Sequence, residues 1–142
     1  MAGARLGFGV GNKDLIADLN TIKYSTNPYN INKMTMVAGI GVLKDEAYTR
    51  KNCKEIIKAR EYTKTELSKL GFTYTPSTAN FIFAKHNNID GGVLYKKLKE
   101  KGILVRHFDK KEIYMYNRIT VGTLNDMKKL IDTIKCILEE EK

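Results

Sequence analysis

The chain has 142 residues, 42% of them hydrophobic, and a formal net charge of +9 with a pI near 9.5. That size and apolar fraction suffice for a domain with a core. A mean hydropathy of −0.38, with no apolar run near the roughly 18 residues a membrane helix needs, argues against a membrane-spanning helix.

The opening Met1-Ala2-Gly3-Ala4-Arg5-Leu6-Gly7 lacks the basic-then-apolar order of a secretory leader. Cys53 and Cys136 stand alone in helix-like segments, the pattern of reduced thiols in a cytoplasmic protein. No CxxC, HExxH or His/Cys cluster occurs, so no metal site is expected. The positive charge invites a nucleic-acid reading. Its distribution argues against one: Lys51, Lys54, Lys58, Lys64 and Lys69 alternate with Glu55, Glu61 and Glu66 on one helix-like stretch, as on a solvated face.

In chain order, Leu6 to Gly11 reads as a short apolar strand, which would need partner strands. Asn12-Lys13-Asp14 reads as a helix start, with Leu15, Ile16, Leu19 and Ile22 on one face. Ser25 to Asn32 contains Pro28 and three asparagines and breaks the chain. A helix of small residues is predicted from Lys33 to Leu43, and a long one from Asp45 to Leu70 that Gly71 terminates. Phe72 to Tyr74 and Ala79 to Ala84 read as strands, the second buried. Asp90 to Lys101 is helical, with Val93, Leu94 and Leu98 inward. Two more strands are expected, at Gly102 to Phe108 and Arg118 to Thr123, with a turn at Asp109-Lys110-Lys111. Asn125 to Glu139 closes the chain as an amphipathic helix carrying Met127, Leu130, Ile131, Ile134 and Leu138. The second half thus reads β-β-α-β-β-α. This is an α/β chain whose α+β part is a small, mostly antiparallel sheet covered by helices on one side, preceded by connecting helices.

Arg106 and Arg118 fall on the last two strands. Two guanidiniums held side by side on rigid strands suit a ligand with two anionic groups, because each can grip a carboxylate or phosphate with a bidentate fork. Considered alone, an arginine on a strand is more often a surface ion pair. His86, in Lys85-His86-Asn87-Asn88, is expected to be solvated, His107 to be structural or exposed, and Tyr114 and Tyr116 to be packing residues.

Five segments occur in a characteristic order: Ala2-Gly3-Ala4-Arg5-Leu6-Gly7-Phe8, Asn27-Pro28-Tyr29-Asn30-Ile31-Asn32, Ser77-Thr78-Ala79-Asn80-Phe81, Gly102-Ile103-Leu104-Val105-Arg106 and Arg118-Ile119-Thr120-Val121-Gly122-Thr123. Together they resemble the C-terminal portion of the histidinol-phosphate aminotransferases, which are aspartate-aminotransferase-like, fold type I enzymes dependent on pyridoxal 5′-phosphate. The resemblance covers essentially the whole chain. It implies that Arg5 binds the cofactor phosphate, that Arg118 holds the substrate carboxylate, and that Arg106 helps to hold the phosphate of histidinol phosphate. It places Asn80 at the active-site entrance and makes it a substrate-binding candidate, although an asparagine there could equally satisfy backbone groups at a strand start. It implies residues 1–45 as the end of the large cofactor domain with connecting helices and residues 46–142 as the small C-terminal domain.

The family's cofactor-binding lysine follows a serine and precedes the arginine that Arg5 matches, so it lies before Met1. The family's aspartate and stacking aromatic lie further upstream. No catalytic residue is therefore assigned in this chain, which by itself is expected not to transaminate. The resemblance further implies small-molecule substrates (a phosphorylated amino compound and glutamate or 2-oxoglutarate), a homodimer when intact, a cytoplasmic location, and neither nucleic-acid nor membrane partners. Two other readings stay open: a related aromatic or other amino-acid aminotransferase, and a stand-alone module that binds a phosphorylated metabolite.

Overall fold

The computed structural model describes residues 2–141. The chain divides into two compact units, Met1–Arg50 and Lys51–Lys142.

The first unit opens with a 3-10 turn, Ala2–Ala4, followed by α1 (Lys13–Thr26) and α2 (Lys33–Lys44). Each helix is started by an asparagine. The Asn12 carboxamide accepts from the Asp14 N–H at 2.8 Å, and that of Asn32 accepts from the Thr35 N–H at 2.8 Å. Each bond satisfies a backbone donor that the first turn would leave unpaired. Leu6 to Gly11 is not the strand its apolar pattern predicts. A strand needs an edge to pair with, and the only strands among the described residues belong to the second unit. Within the unit, Leu6 packs against Gly39 so closely that a Cβ there would collide with the leucine side chain. The apolar face predicted for α1 forms but is not covered: Leu15, Leu19 and Ile22 are all more than half exposed.

The second unit contains most of α3 (Glu46–Lys69), then β1 (Phe72–Tyr74), β2 (Phe81–His86), α4 (Gly91–Glu100), β3 (Arg106–His107), β4 (Asn117–Thr120) and α5 (Leu124–Glu140). The β-β-α-β-β-α order stands, although the last two strands are shorter than predicted. The sheet is fully antiparallel, in the order β1-β2-β4-β3. Side chains alternate between its faces. Ile82, Ala84 and His86 of β2, with Asn117 and Ile119 of β4, point into the core. Ala59, Thr63 and Leu67 of α3, Leu94 and Leu98 of α4 and the inner stripe of α5 complete it.

That α5 stripe is Met127, Leu130, Ile131, Ile134 and Ile137. Fully burying each such side chain contributes about 1.5–3 kcal/mol, so α5 is the main apolar anchor of the unit. Ile137 takes the buried place predicted for Leu138, which is only partly buried. Val93, predicted to face inward, is 39% exposed.

Two glycines are demanded by geometry. Gly71 ends α3 with φ of +83°, a left-handed conformation that glycine adopts without strain. Gly91 starts α4 so near the backbone of Tyr114 and Met115 that a Cβ would lie 2.5 Å from the Tyr114 carbonyl oxygen.

His86 corrects the expectation of a solvated turn residue. It is the last residue of β2, on the inward-facing alternation, and only 9% exposed. Its Nε2 lies 2.9 Å from the Leu70 carbonyl, and its Nδ1 accepts from the N–H groups of Asn88 and Ile89, each at 3.1 Å. These partners fix the tautomer: Nε2 carries the proton and donates, and Nδ1 accepts.

Candidate functional site

The sheet face turned away from the helical core carries the candidate site. The alternation that sends Ile82, Ala84 and Ile119 inward sends Phe81, Phe83, Lys85, Arg118 and Thr120 to the other side. The register sets Arg118 opposite Phe83 on β2 and opposite Arg106 on β3. Both arginines are exposed. Among the described residues, neither guanidinium has a carboxylate or hydrogen-bond partner.

Aromatic rings pave the ground beneath these cations. The Arg118 guanidinium lies over the Phe81 ring at 5.4 Å, and that of Arg106 over Phe108 at 5.5 Å. Phe83 stacks on Tyr116 with centroids 4.6 Å apart and meets Phe108 edge-on at 6.0 Å. The Lys85 ammonium sits 5.4 Å from the centre of the Tyr116 ring. Cation–π contact holds each charge in place without neutralising it. The result is a patch with three cations and, among the described residues, no acid paired with them, able to accept a ligand with more than one anionic group.

Asn80 sits just before β2, in a firmly held turn. Its carbonyl accepts from the Val121 N–H at 2.8 Å, just beyond the end of β4. The Ser77 hydroxyl donates to the Phe81 carbonyl at 2.6 Å and accepts from the Ala79 N–H at 3.3 Å. The Asn80 side chain is exposed and has no partner among the described residues, so its amide is available to a ligand. The buried Arg60 of α3 donates through Nη1 to the Ala79 carbonyl at 2.9 Å and through Nε to Glu61 at 3.0 Å. Lys64, and after it Arg60, hold the Glu61 carboxyl below the ordinary glutamate range.

His107, next to Arg106, is structural. It stacks on Tyr95, meets Tyr114 edge-on, and its Nδ1 lies 3.2 Å from the Asn117 Oδ1. The Asn117 amide also donates to the Gly91 carbonyl at 2.9 Å. Tyr116 proves to be a packing residue of the open face. The aromatic paving and Arg60 were not singled out from the sequence. The spacing of Phe81, Phe83 and Lys85 carries a signal for the paving, since alternate residues of a strand share a face; nothing local marks Arg60.

Arg5 belongs to the first unit and is described there by itself. It is exposed, and its φ of +57° is the only positive value at a non-glycine among the described residues. A non-glycine residue in the left-handed region carries strain of order 1 kcal/mol, and such residues cluster at ligand sites. Arg5 has no carboxylate partner among the described residues. No three acidic, histidine or cysteine side chains among those residues gather as a metal site.

The model of the aminotransferase class I and II family matches residues 1–134. The chain belongs to that family. Members depend on pyridoxal 5′-phosphate. The chain is 46% identical over 139 residues to the histidinol-phosphate aminotransferase of Brachyspira hyodysenteriae, covering 98% of this chain and 39% of that protein. It is 43% identical over 142 residues to the enzyme of that name from Clostridium beijerinckii, covering all of this chain and 40% of the relative. The chain thus spans about two fifths of the length of these relatives. Among solved structures, the histidinol-phosphate aminotransferase of Clostridium acetobutylicum superposes with a TM-score of 0.77 at 28% identity, over 91% of this chain and 39% of that one. A candidate histidinol-phosphate aminotransferase from Erwinia carotovora atroseptica gives a TM-score of 0.84 at 24% identity, over 99% and 39%, a likeness of fold.

Proposed function

We propose that this aminotransferase-family chain is the C-terminal portion of an enzyme that moves the amino group of histidinol phosphate to 2-oxoglutarate, giving imidazole-acetol phosphate and glutamate. The observation that carries the proposal is the opposed pair Arg106 and Arg118 on the open sheet face. A substrate pair with one phosphate and one dicarboxylate needs such a pair of permanent cations. The names of the relatives support the same substrate.

In this reading Arg118 grips the carboxylate of glutamate or 2-oxoglutarate with its two-pronged fork, and Arg106 holds the phosphate of histidinol phosphate. Asn80 supplies a neutral amide that orients the bound molecule. Arg5 fits the phosphate of pyridoxal 5′-phosphate: it is a permanent cation, exposed, and set in a conformation that only surrounding structure sustains. When bound, that cofactor supplies the electron sink that lets an amino group pass between two carbon skeletons. The lysine that carries it is, by the family pattern, upstream of Arg5. In this reading Arg5, Asn80, Arg106 and Arg118 bind and orient cofactor and substrate.

Residues 1–45 are assigned to the end of the cofactor domain and its connecting helices, and residues 46–142 to the small domain. Phe8, Leu15, Ile22, Val37 and Leu43 all expose more than half of their surface, which supports a covered, interdomain or intersubunit setting for the first segment. The same exposed apolar surface supports a homodimer of the intact enzyme. Two unpaired cysteines, Cys53 and Cys136, support a cytoplasmic location.

The test is the reading frame that encodes this chain, expressed from its furthest upstream in-frame start and loaded with pyridoxal 5′-phosphate. Turnover of histidinol phosphate with 2-oxoglutarate is expected, and Arg106→Ala is expected to raise KM for histidinol phosphate at least tenfold. An unchanged KM in that variant would sink the phosphate assignment. A product that accepts aromatic amino acids but not histidinol phosphate would replace the substrate with that of a related aminotransferase.

A further inference from the structure

Arg60 has no part in the reading above, yet it is the most buried arginine of the sheet unit, at 8% exposure. Burying a guanidinium is costly unless its donors are used. Here the fork spans two elements: Nε to Glu61 on its own helix, Nη1 to the Ala79 carbonyl, 19 residues further along the chain. The Ala79 carbonyl belongs to the peptide that leads into Asn80. The next carbonyl, of Asn80, is held by Val121. Consecutive peptides are thus clamped from α3 on one side and from the end of β4 on the other. The residue that follows, Phe81, is the ring beneath the Arg118 guanidinium.

We infer that Arg60 is a positioning residue for the anion site: by fixing the Ala79–Asn80 peptide it sets the direction of the Asn80 amide and the place of the Phe81 ring, and through that ring the place of Arg118. This rests on the reading of Arg118 as a carboxylate-binding residue. A planar fork suits the task because its two donors are fixed relative to each other, which a lysine ammonium on a flexible stem cannot match. Small misplacements of a binding group lower ligand affinity without unfolding the protein.

The experiment is an NMR titration of the full 142-residue chain with glutarate, in the wild type, Arg60→Met, Arg60→Lys and Arg118→Ala, under conditions where each is folded. The readouts are the dissociation constant and the position of the Arg118 Nε–H signal. Arg118→Ala is expected to abolish binding. Arg60→Met is expected to weaken it at least threefold and to shift the Arg118 signal, with Arg60→Lys between it and the wild type. A purely structural role would lower the urea midpoint and leave the affinity of the folded chain unchanged; wild-type affinity in Arg60→Met overturns the inference. If Arg60→Met does not fold, Ser77→Ala opens the same turn from its other side, and wild-type affinity in that variant is equally fatal. Equal glutarate binding by the wild type and Arg118→Ala would instead overturn the site itself, and the positioning role with it.

Discussion

Arg106 and Arg118 are directly opposed across the antiparallel β3–β4 pair. Residues opposed in such a ladder have Cβ atoms about 4.5–5.5 Å apart, and like charges in that relation destabilise the sheet. Neither charge is relieved by an acid among the described residues. An anion bound between them would relieve that repulsion, as the proposed function requires.

The first prediction is a trade between stability and binding. Arg118→Gln removes the repulsion and is expected to raise the unfolding free energy at low salt by up to about 0.5 kcal/mol, read from urea unfolding. The gain should shrink as added salt screens the pair. The same variant should lose glutarate binding. Equal midpoints for wild type and variant at low salt would mean that the two cations do not oppose each other.

A second prediction concerns His86, whose ring joins the end of α3 to the turn after β2 through three hydrogen bonds. His86→Ala leaves the Leu70 carbonyl and two backbone N–H groups without partners and opens a cavity against Phe72, whose ring centroid lies 4.9 Å away. Unsatisfied buried groups and lost packing together cost about 2–4 kcal/mol. Urea unfolding measures this directly, and a loss below about 1 kcal/mol would return His86 to a solvated role.

The start of α5 predicts a pH dependence. The Thr123 hydroxyl and backbone N–H donate to the Asp126 carboxylate at 2.7 and 2.9 Å, and hold its carboxyl below the ordinary aspartate range. The sign follows from linkage. A carboxylate whose folded-state pKa is depressed contributes stability that is complete above its unfolded value, about 3.9. That contribution disappears as pH falls through the lower folded value. Asp126→Asn is therefore expected to be less stable than the wild type at pH 7, and the gap should close below about pH 4. A gap that stays constant from pH 7 to pH 2 would dissociate the carboxylate from the cap.

Gly91 gives the fourth prediction. A Cβ at this position meets the Tyr114 carbonyl oxygen at 2.5 Å and the Met115 backbone at 2.7 Å, atoms that cannot rotate aside. Gly91→Ala is expected to cost about 2 kcal/mol or more, against the usual gain from placing alanine in a helix. It should also loosen the Asn117 bond to the Gly91 carbonyl. Thermal unfolding decides, and a variant as stable as the wild type would show that the Phe108–Tyr116 connection can move away.

The local pattern of the chain carried a great deal. Apolar spacing placed α3, α4 and α5 within a residue or two of their ends, because an amphipathic helix writes its period into its own residues. Asn12 marked a helix start through its side-chain oxygen, whereas Asn32, read only as part of a break, proved to cap α2 in the same way. Gly71 marked a helix end for the same local reason. The candidate arginines could be singled out because five short segments occur in a family order and three of them carry Arg5, Arg106 and Arg118.

Other features depended on distant residues and left no local trace. Leu6 to Gly11 has the composition of a strand, but a strand exists only beside an edge, and composition does not supply one. His86 looks polar and exposed beside Lys85, Asn87 and Asn88, yet strand alternation turns it inward and Leu70, 16 residues earlier, receives its proton. Arg60 looks like one more charge on a charged helix until folding brings Ala79 to its fork.

By itself, then, the sequence determined which segments are helical and where most of them stop, since each of these is decided within a few neighbouring residues, and its family-like segments singled out the candidate cations. Only the tertiary structure decided that Arg106 stands opposite Arg118, that aromatic rings lie beneath both, and that Arg60 holds the Asn80 turn. Apart from the Arg106–Phe108 contact, those relations join residues 12 to 37 positions apart, and hydrogen-bond register and packing, which no local pattern encodes, bring them together.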